Sequence, residues 1–566
     1  MDKTIHLGDF LMQQGVLTKE QLKAALDEQK KTGAKLGNVL VSMGILTEEA
    51  LLSFLSKQLN IPVFNLINFV PNQEITRLLP KAHARRLQAI ALEKRKDGIL
   101  VGMVDPLDIT AIDDLKRILN CPIQVVLIPE TQLNRALDVI YRHTEEITSL
   151  AGRLYEELGG ERVSFVDLAA EAKQVDAPVI RLLQSLFEDA VQMKASDIHI
   201  EPDEKILRLR LRIDGVLNEQ IVQEKNIASA LAMRLKLISG LNVTEKRLPQ
   251  DGRFNMKVRD RILDIRLSLL PTQYGESMVM RILDQSQGIL NLDQIIDIES
   301  TLKEFRELLH RPNGLVLATG PTGSGKTTTL YAALNELNEV SKKIITVEDP
   351  VEYRLPRVNQ VQVNAALDLT FARVLRTILR QDPNIILVGE MRDQETASIA
   401  MRAALTGHLV LSTLHTNDTA SSALRLIDMG VEGYLVAATL RGILAQRLMR
   451  KVCDSCRTTY RPTEYEIKWM EQVTGASISG IEFFYGKGCN FCNQTGYKGR
   501  IGIFELLILT GEMKEILRAK DPTSFSQLVA QKMQGKLLVD SAITQVQKGI
   551  STFSEAMRVA GSGRWQ

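Results

Sequence analysis

The sequence predicts a multidomain α/β protein. It has an N-terminal domain of helical and α+β character built on a tandem repeat, an α+β middle domain, and a phosphate-loop domain carrying a metal-held subdomain. Three observations predict this class. Residues 6–29 return as residues 35–58, strand-like segments with period-2 alternation follow residue 195, and GPTGSGKT follows the apolar run GLVLATG at Gly320–Thr327.

At 566 residues the chain has room for roughly three or four domains. A net charge of +2 provides no overall field for nucleic acid or an anionic membrane, and 45% hydrophobic residues fit a folded protein. The opening MDKTIHLGDF has no basic stretch ahead of an apolar one, so no secretory signal is expected. No apolar run reaches the about 18 residues of a membrane span, so the protein is expected to be cytoplasmic and to meet a membrane only through a partner. Of five cysteines, Cys121 reads as a small buried apolar residue and the others form two pairs.

The first element is the repeat. Its copies share Leu7/Leu36, Gly8/Gly37, Leu11/Leu40, Gly15/Gly44, Leu17/Leu46, Leu22/Leu51, Leu26/Leu55 and Gln29/Gln58. Two copies are too few for a solenoid. In each, the second glycine leads into Leu-Thr and an amphipathic helix. Thr18 with Gln21 predicts a capping box, whereas Thr47, with Ala50 at the matching place, keeps only the cap. Leu22, Ala25, Leu26 and Gln29 fall on one helical face. The repeat reads either as a docking module for a partner or as a ligand site, and a glutamine closing both copies favours the ligand. Apolar stretches near residues 89–92 and 99–104, alternating with ITAIDDLKRIL, complete an N-terminal domain over residues 1–145.

Residues 146–177 are acidic, contain Gly159-Gly160 and stop before Pro178, which predicts a linker. From Val179 a helix leads into the strands ASDIHIEP, ILRLRLRIDG, LDIRLSLLP and ESMVMRIL of a middle domain, residues 178–310. A boundary at Arg311–Pro312 opens the last domain, residues 311–566.

Gly320, Pro321, Thr322, Gly323, Ser324, Gly325, Lys326 and Thr327 match G-x-x-x-x-G-K-[ST] between an apolar strand and the helix-like TTTLYAALNEL, which includes Thr328. Such glycines let backbone N–H groups close round phosphate oxygens at a helix N-terminus. Lys326 is expected to reach the β- and γ-phosphates and the Thr327 hydroxyl to ligate Mg2+. Ile385–Asp393, IILVGEMRD, is an apolar strand ending in Glu390, which is expected to orient or deprotonate the attacking water. Many phosphate loop enzymes place an aspartate just before this glutamate; here Gly389 stands there. Metal duty therefore passes in part to ITVEDPVEY, with Glu348, Asp349 and Glu352. His408 and His415 flank the apolar segment LVLSTL and read as γ-phosphate sensors. Cys453, Cys456, Cys489 and Cys492 form two C-x2-C knuckles, the usual array for a closed structural Zn2+ site. They bound a subdomain, 453–492, expected to project and to be loop-rich.

The order GPTGSGKT, VEDPVEY, ILRQDPNIILVGEMRD and TGHLVLSTLHTND, preceded by ASDIHIEP, RLRIDG and KRLPQDGR, resembles the secretion ATPases of type II secretion and type IV pilus extension over residues 178–566. The resemblance implies a PAS-like middle domain, a RecA-like ATPase domain and a homohexamer acting on an inner-membrane platform protein, with no nucleic-acid partner. It implies that arginines of the middle domain and a neighbouring subunit neutralise phosphate charge. The matching candidates are Arg210, Arg212, Arg266 and Arg281, with Arg373, Arg376, Arg380 and Arg447 in the ATPase domain. Extension-type members carry a four-cysteine subdomain like this one. The paired N-terminal motif is similar to the cyclic-di-GMP-binding domain of some of these ATPases, which implies a regulatory ligand held by the shared residues above. Members usually carry an arginine before the first Leu-Gly; here His6 and Lys35 stand at the two equivalent places. Base recognition then rests on His6, with pH-sensitive affinity, or passes to Arg85, Arg86 and Asp108. Two rival readings remain at this stage: a type II secretion ATPase with a docking module, and a scaffold that binds ATP without turnover.

Overall fold

A computed structural model describes residues 12, 17–32, 36–66, 69, 72–76, 78–95, 97–140, 147, 150–152, 154, 172–258, 261–284, 288–475 and 482–560. His6, Leu7, Gly8, Leu11, Gly15 and Lys35, with most of the expected linker, lie outside the described residues. The chain divides into two compact units, Met1–Arg142 with Lys487–Gly496, and His143–Gly486 with Tyr497–Gln566.

In the first unit, helices Lys19–Thr32, Leu36–Ser42 and Glu48–Leu59 carry the repeat. The expected caps are present. Thr18 and Gln21 bond reciprocally at 3.0 and 3.2 Å, and Thr47 Oγ1 accepts from Ala50 N at 3.2 Å. The repeat buries Leu17, Ala25, Val39, Leu40 and Leu46 in a small core of its own. Strands β1 (Ala89–Arg95), β2 (Gly98–Met103) and β3 (Ile123–Leu127) form a sheet in that order. β1 runs antiparallel to β2, and β2 parallel to β3 across the helix Ile109–Leu119. Glu48 ties the second repeat to this α/β part: its carboxylate accepts from Thr131 N at 3.3 Å and Oγ1 at 2.7 Å.

In the second unit, β4 (Ala195–Pro202), β5 (Leu207–Ile213), β6 (Val216–Val222), β7 (Gln250–Val258), β8 (Arg261–Thr272) and β9 (Gly275–Asp284) form an antiparallel sheet ordered β6-β5-β4-β9-β8-β7. Alternation puts Ile198, Ile200, Leu207, Leu209, Ile265, Leu267, Met278 and Met280 on a face covered by the helices Ala172–Gln192 and Ile227–Ile238. The other face carries the arginines. Two expectations about the linker change here. Ile147, Ala151 and Leu154 are fully buried in this core, and Pro178 lies inside a helix rather than before one, because Val179, Leu182, Leu183, Leu186 and Phe187 make one continuous apolar face.

The third sheet joins β10 (Gly314–Thr319), β11 (Ile344–Glu348), β12 (Val358–Gln362), β13 (Ile385–Val388), β14 (Leu409–Leu414), β15 (Leu440–Val452) and β18 (Tyr497–Ile508) in the order β12-β11-β13-β14-β10-β15-β18. All neighbours are parallel except β15 and β18. Strands buried on both faces must be apolar throughout. Leu315, Leu317, Ile345, Val347, Ile386 and Val388 fill one face, and Val316, Ala318, Ile344, Ile385, Leu387 and Leu411 the other. Helices Leu292–Ile295 and Glu299–Leu309 bury Leu292, Phe305, Leu308 and Leu309 against the second face. The last domain's core therefore gathers residues before 311. Between the cysteine pairs, a two-stranded ribbon of β16 (Arg457–Tyr460) and β17 (Phe483–Gly486) accompanies the helix Glu464–Thr474. That helix buries Trp469 and Met470 with Ile543 and Phe553, so the segment is less loop-rich than expected.

Candidate active site

The phosphate loop links the carboxyl end of β10 to the helix Lys326–Leu337. Its glycines are needed because β15 runs close beneath it. A Cβ on Gly320 (φ 148°) would meet Gln446 O at 2.4 Å and Ser324 Oγ at 2.6 Å, and one on Gly325 (φ 90°) would meet Gln446 Nε2 at 2.8 Å. Gln446 Oε1 also accepts from Thr329 Oγ1 at 2.7 Å. Thr327 opens the helix with an exposed side chain. The buried Ser324 hydroxyl has no hydrogen-bond partner among the described residues, and it lies inside the cradle, as a loop built for phosphate oxygens requires. Lys326 Nζ donates to Gly320 O at 2.7 Å and Pro321 O at 3.1 Å. Burial, with the charge of Arg447, pulls its pKa down to about 8 against the opposing pull of Glu390.

Three further strand ends reach this edge. Glu390 follows β13, is 9% exposed, and pairs with Arg392 Nη2 at 2.5 Å and His415 Nε2 at 3.2 Å. A Cβ at Gly389 would lie 3.2 Å from Glu348 Cα and 3.3 Å from Val347 O, so the end of β11 leaves no comfortable room for an aspartate there. Glu348 closes β11 in a buried cage, accepting from the Tyr331 and Thr346 hydroxyls and from Gln360 Nε2 at 3.3 Å. Burial and the Glu348 charge hold the Tyr331 phenol above its usual range, so it stays protonated.

The histidines separate. His415 follows β14, beside Glu390, but His408 precedes β14. Its carbonyl accepts from Gly314 N at the opposite end of β10. Within this chain, six residues of strand, roughly 20 Å, keep His408 from the phosphate loop. The arginines separate too. Arg266 reaches Glu352 at 2.7 Å and Val351 O at 3.3 Å, while Arg447, buried enough to depress its pKa, donates to Asn417 O at 2.7 Å. Arg212 and Arg281 instead flank Asp197, and Arg210 pairs with Glu201 at 2.6 Å. Arg373 and Arg376 pair with Asp368 and Glu395, and Arg380 donates to Arg376 O. Thr328 is half-buried behind the loop. Tyr331, Gln360, Arg392 and Gln446 were not singled out from the sequence. Only Gln446, a lone amide within the apolar run ILAQRLM, left a visible signal.

In the N-terminal repeat, Gly37 has an internal reason. Its Cβ would lie 2.9 Å from Leu51 Cδ2, so it permits two helices to close on each other, while Gly44 turns with φ 68°. Leu46 and Leu51 are buried; Leu22, Gln29, Leu36, Leu55 and Gln58 are half-buried, and Leu26 is 39% exposed. Arg86 pairs with Asp114 at 2.9 Å, and Asp108 caps the helix Ile109–Leu119, so each has an employment in the fold.

The four cysteines converge. All are buried, and their sulfurs lie within 4.8 Å of one another. Cys492 Sγ accepts from Cys489 N and Gly496 N, each at 3.2 Å. A compact, buried set of four soft thiolates fits Zn2+.

Residues 172–558 match the family described as type II/IV secretion system protein, and residues 59–147 match the MshEN domain, a span that begins where the repeat ends. The type IV pilus assembly ATPase PilB of Myxococcus xanthus is 39% identical over 515 residues, 90% of this chain and 91% of that protein. Type II secretion system protein E of Dickeya dadantii is 40% identical over 502 residues, 87% of this chain and 98% of that protein. The Legionella pneumophila ATPase DotB shares the fold with a TM-score of 0.51 at 23% identity, covering 68% of this chain and 96% of its own. Among the described residues, no helix is long and apolar enough to cross a membrane.

Two outcomes follow from this geometry. A nucleotide's phosphates need Lys326 charged, so above about pH 8 binding must be accompanied by proton uptake. The dissociation constant for ATP is expected to stay level from pH 7 to 8 and then to rise by up to about tenfold per pH unit. Calorimetry across that range, with Lys326→Arg as the variant that stays charged, checks it. The second outcome concerns metal. Elemental analysis of protein never exposed to chelators is expected to give one Zn2+ for the four-cysteine cluster of each chain. Cys453→Ser is expected to loosen the segment between the knuckles before the phosphate loop, read by hydrogen exchange.

Proposed function

Because this chain belongs to the type II/IV secretion system protein family, we propose that it is a cytoplasmic ATPase ring, a homohexamer, that drives extension of a type IV pilus of the mannose-sensitive haemagglutinin type. It would work through an inner-membrane platform protein and be regulated by cyclic-di-GMP at its N-terminus. The observation that carries the reading is the gathering of Lys326, Glu390, His415 and Arg447 round one phosphate loop, with Glu348 caged alongside. The cyclic-di-GMP part is supported by the repeat, by the MshEN match that follows it, and by apolar repeat positions, such as Leu26, left partly uncovered. A second reading, a type II secretion ATPase whose N-terminal domain only docks, is favoured by the near-complete coverage of protein E relatives.

In the mechanism, Lys326 gives up the Gly320 and Pro321 carbonyls for the β- and γ-phosphates, and the vacant Ser324 hydroxyl and loop N–H groups take up the remaining oxygens. Thr327 and Glu348 would hold Mg2+, which offsets the phosphate charge when bound. Glu390, aligned by Arg392 and His415, takes the proton of the attacking water. Arg447 lies next to the loop for charge that grows in the transition state.

Glu390→Gln is expected to bind ATP as the parent does while losing hydrolysis by roughly a hundredfold or more, whereas Lys326→Ala weakens binding itself. Near-normal phosphate release by Glu390→Gln would remove Glu390 from the catalytic role. For the regulatory site, titration of the full chain with cyclic-di-GMP at pH 6 and pH 8 should give tighter binding at pH 6, as His6 protonates near its ordinary pKa of about 6.5. No binding at either pH, in folded protein, would return the repeat to a docking role.

A further inference from the structure

Glu348 ends β11 almost fully buried, and the groups that hold it come from three separate elements. The Tyr331 hydroxyl donates to Oε2; the Thr346 hydroxyl and Gln360 Nε2, the latter at 3.3 Å, donate to Oε1. Tyr331 is 1% exposed and sits on the same helix as Lys326, little more than one turn on. One side chain therefore joins the helix that receives phosphate to the carboxylate beside it. The same hydroxyl accepts from Glu352 N at 3.2 Å, and the Glu352 carboxylate pairs with Arg266 of the middle sheet at 2.7 Å. Gln360 reinforces the arrangement by donating to Tyr353 O at 2.9 Å and accepting from Leu355 N at 2.7 Å.

We propose that Tyr331, supported by Thr346 and Gln360, is a positioning residue for Glu348, fixing the carboxylate in the orientation in which it serves the nucleotide's metal ion. A carboxylate offers about four lone-pair sites, and three are filled here, which leaves capacity for one further donor such as a metal-bound water. Residues that orient a metal-site carboxylate through a hydrogen bond commonly matter about 10–100-fold in metal affinity or activity. Tyr331 also couples this carboxylate to the middle sheet, because its hydroxyl anchors the loop that Arg266 grips. The inference rests on the ATP-hydrolysing reading above and adds a role to residues outside the family motifs.

The test uses the full chain with Tyr331→Phe, Thr346→Val, Glu348→Gln, and the combined Tyr331→Phe/Glu348→Gln variant. Tyr331→Phe keeps the ring and its edge-to-face contact with Tyr353, 5.8 Å between centroids, and removes only the hydroxyl. Three quantities are read: kcat, KM for ATP, and equilibrium Mn2+ binding to ADP-loaded protein by electron paramagnetic resonance. Tyr331→Phe is expected to lower kcat roughly tenfold with KM nearly unchanged, and to weaken Mn2+ binding to a similar degree. The combined variant should be no worse than Glu348→Gln alone, since both act through one carboxylate. Thr346→Val should move the same quantities in the same direction, and it carries the test if Tyr331→Phe does not fold. Unchanged kcat and Mn2+ binding in a folded Tyr331→Phe would reduce Tyr331 to packing and overturn the proposal, as would full additivity with Glu348→Gln. A near-normal rate in Glu348→Gln would also overturn it while leaving the ATPase reading intact. Absence of turnover in the parent protein would strike that reading instead, and the Mn2+ measurement would still decide the role of Tyr331.

Discussion

The parallel register of β10, β14, β13 and β11 is the constraint on which the site depends. Gly314 faces Leu409, Leu409 faces Ile385, and Ile385 faces Ile344, so the four strands start level and end within two residues of one another. Their carboxyl ends deliver the phosphate loop, His415, Glu390 and Glu348 to one edge, where open α/β sheets bind ligands. The same register carries His408 to the other edge. It also presses β13 so close to β11 that a side chain at position 389 would crowd the Glu348 backbone.

That register rests in turn on burial of both sheet faces. Every residue of β10 and β14 is buried, and the two hydrophobic clusters divide them by alternation. A slip of one residue would exchange the two faces and displace the side chains at the strand ends from the edge. Three polar side chains of this interior are bonded across it: Thr319 to Thr416 O, Ser412 to Val388 O, and Gln446 to Thr329. They join β10 to the segment after β14, β14 to β13, and β15 to the helix that follows the phosphate loop.

Much of this was legible in the sequence because glycine patterns and strand-end acids are local signals. The phosphate loop, Glu390, His415 and the cysteine knuckles stand where their spacing placed them. What the sequence concealed depends on contacts between distant residues. Gln446 lies beneath a loop more than a hundred positions earlier, and Tyr331 looks like any apolar residue of an amphipathic helix until Glu348 is set against it. The helix Glu299–Leu309 follows the middle strands in sequence but buries its apolar face on the later sheet, a contact no local pattern announces. Gly37 stands out in the sequence only as a shared repeat residue, and its packing against Leu51 shows only in the fold. Proline misled for a related reason: Pro178 is a poor helix residue by propensity, yet the tertiary burial of Val179 to Phe187 outweighs that cost.

The middle sheet adds a second constraint. Across five strands the register lines up Arg212, Asp197, Arg281, Arg266 and Arg253 in a single row on the polar face. Like charges directly opposite each other are unfavourable, and this row holds four arginines to one aspartate. Asp197 serves Arg212 and Arg281 at one end, and the fully buried Asp264 takes Arg253 in a two-point contact at 2.6 Å at the other. Arg266, left between two cations, turns off the sheet to Glu352. The charge of Arg266 is therefore met by an acid outside the middle sheet, on the loop that follows Glu348. A shift of the middle sheet would pull on that loop through Arg266. The Glu352 N–H donates to the Tyr331 hydroxyl, which donates in turn to Glu348, so a chain of hydrogen bonds connects Arg266 to that carboxylate.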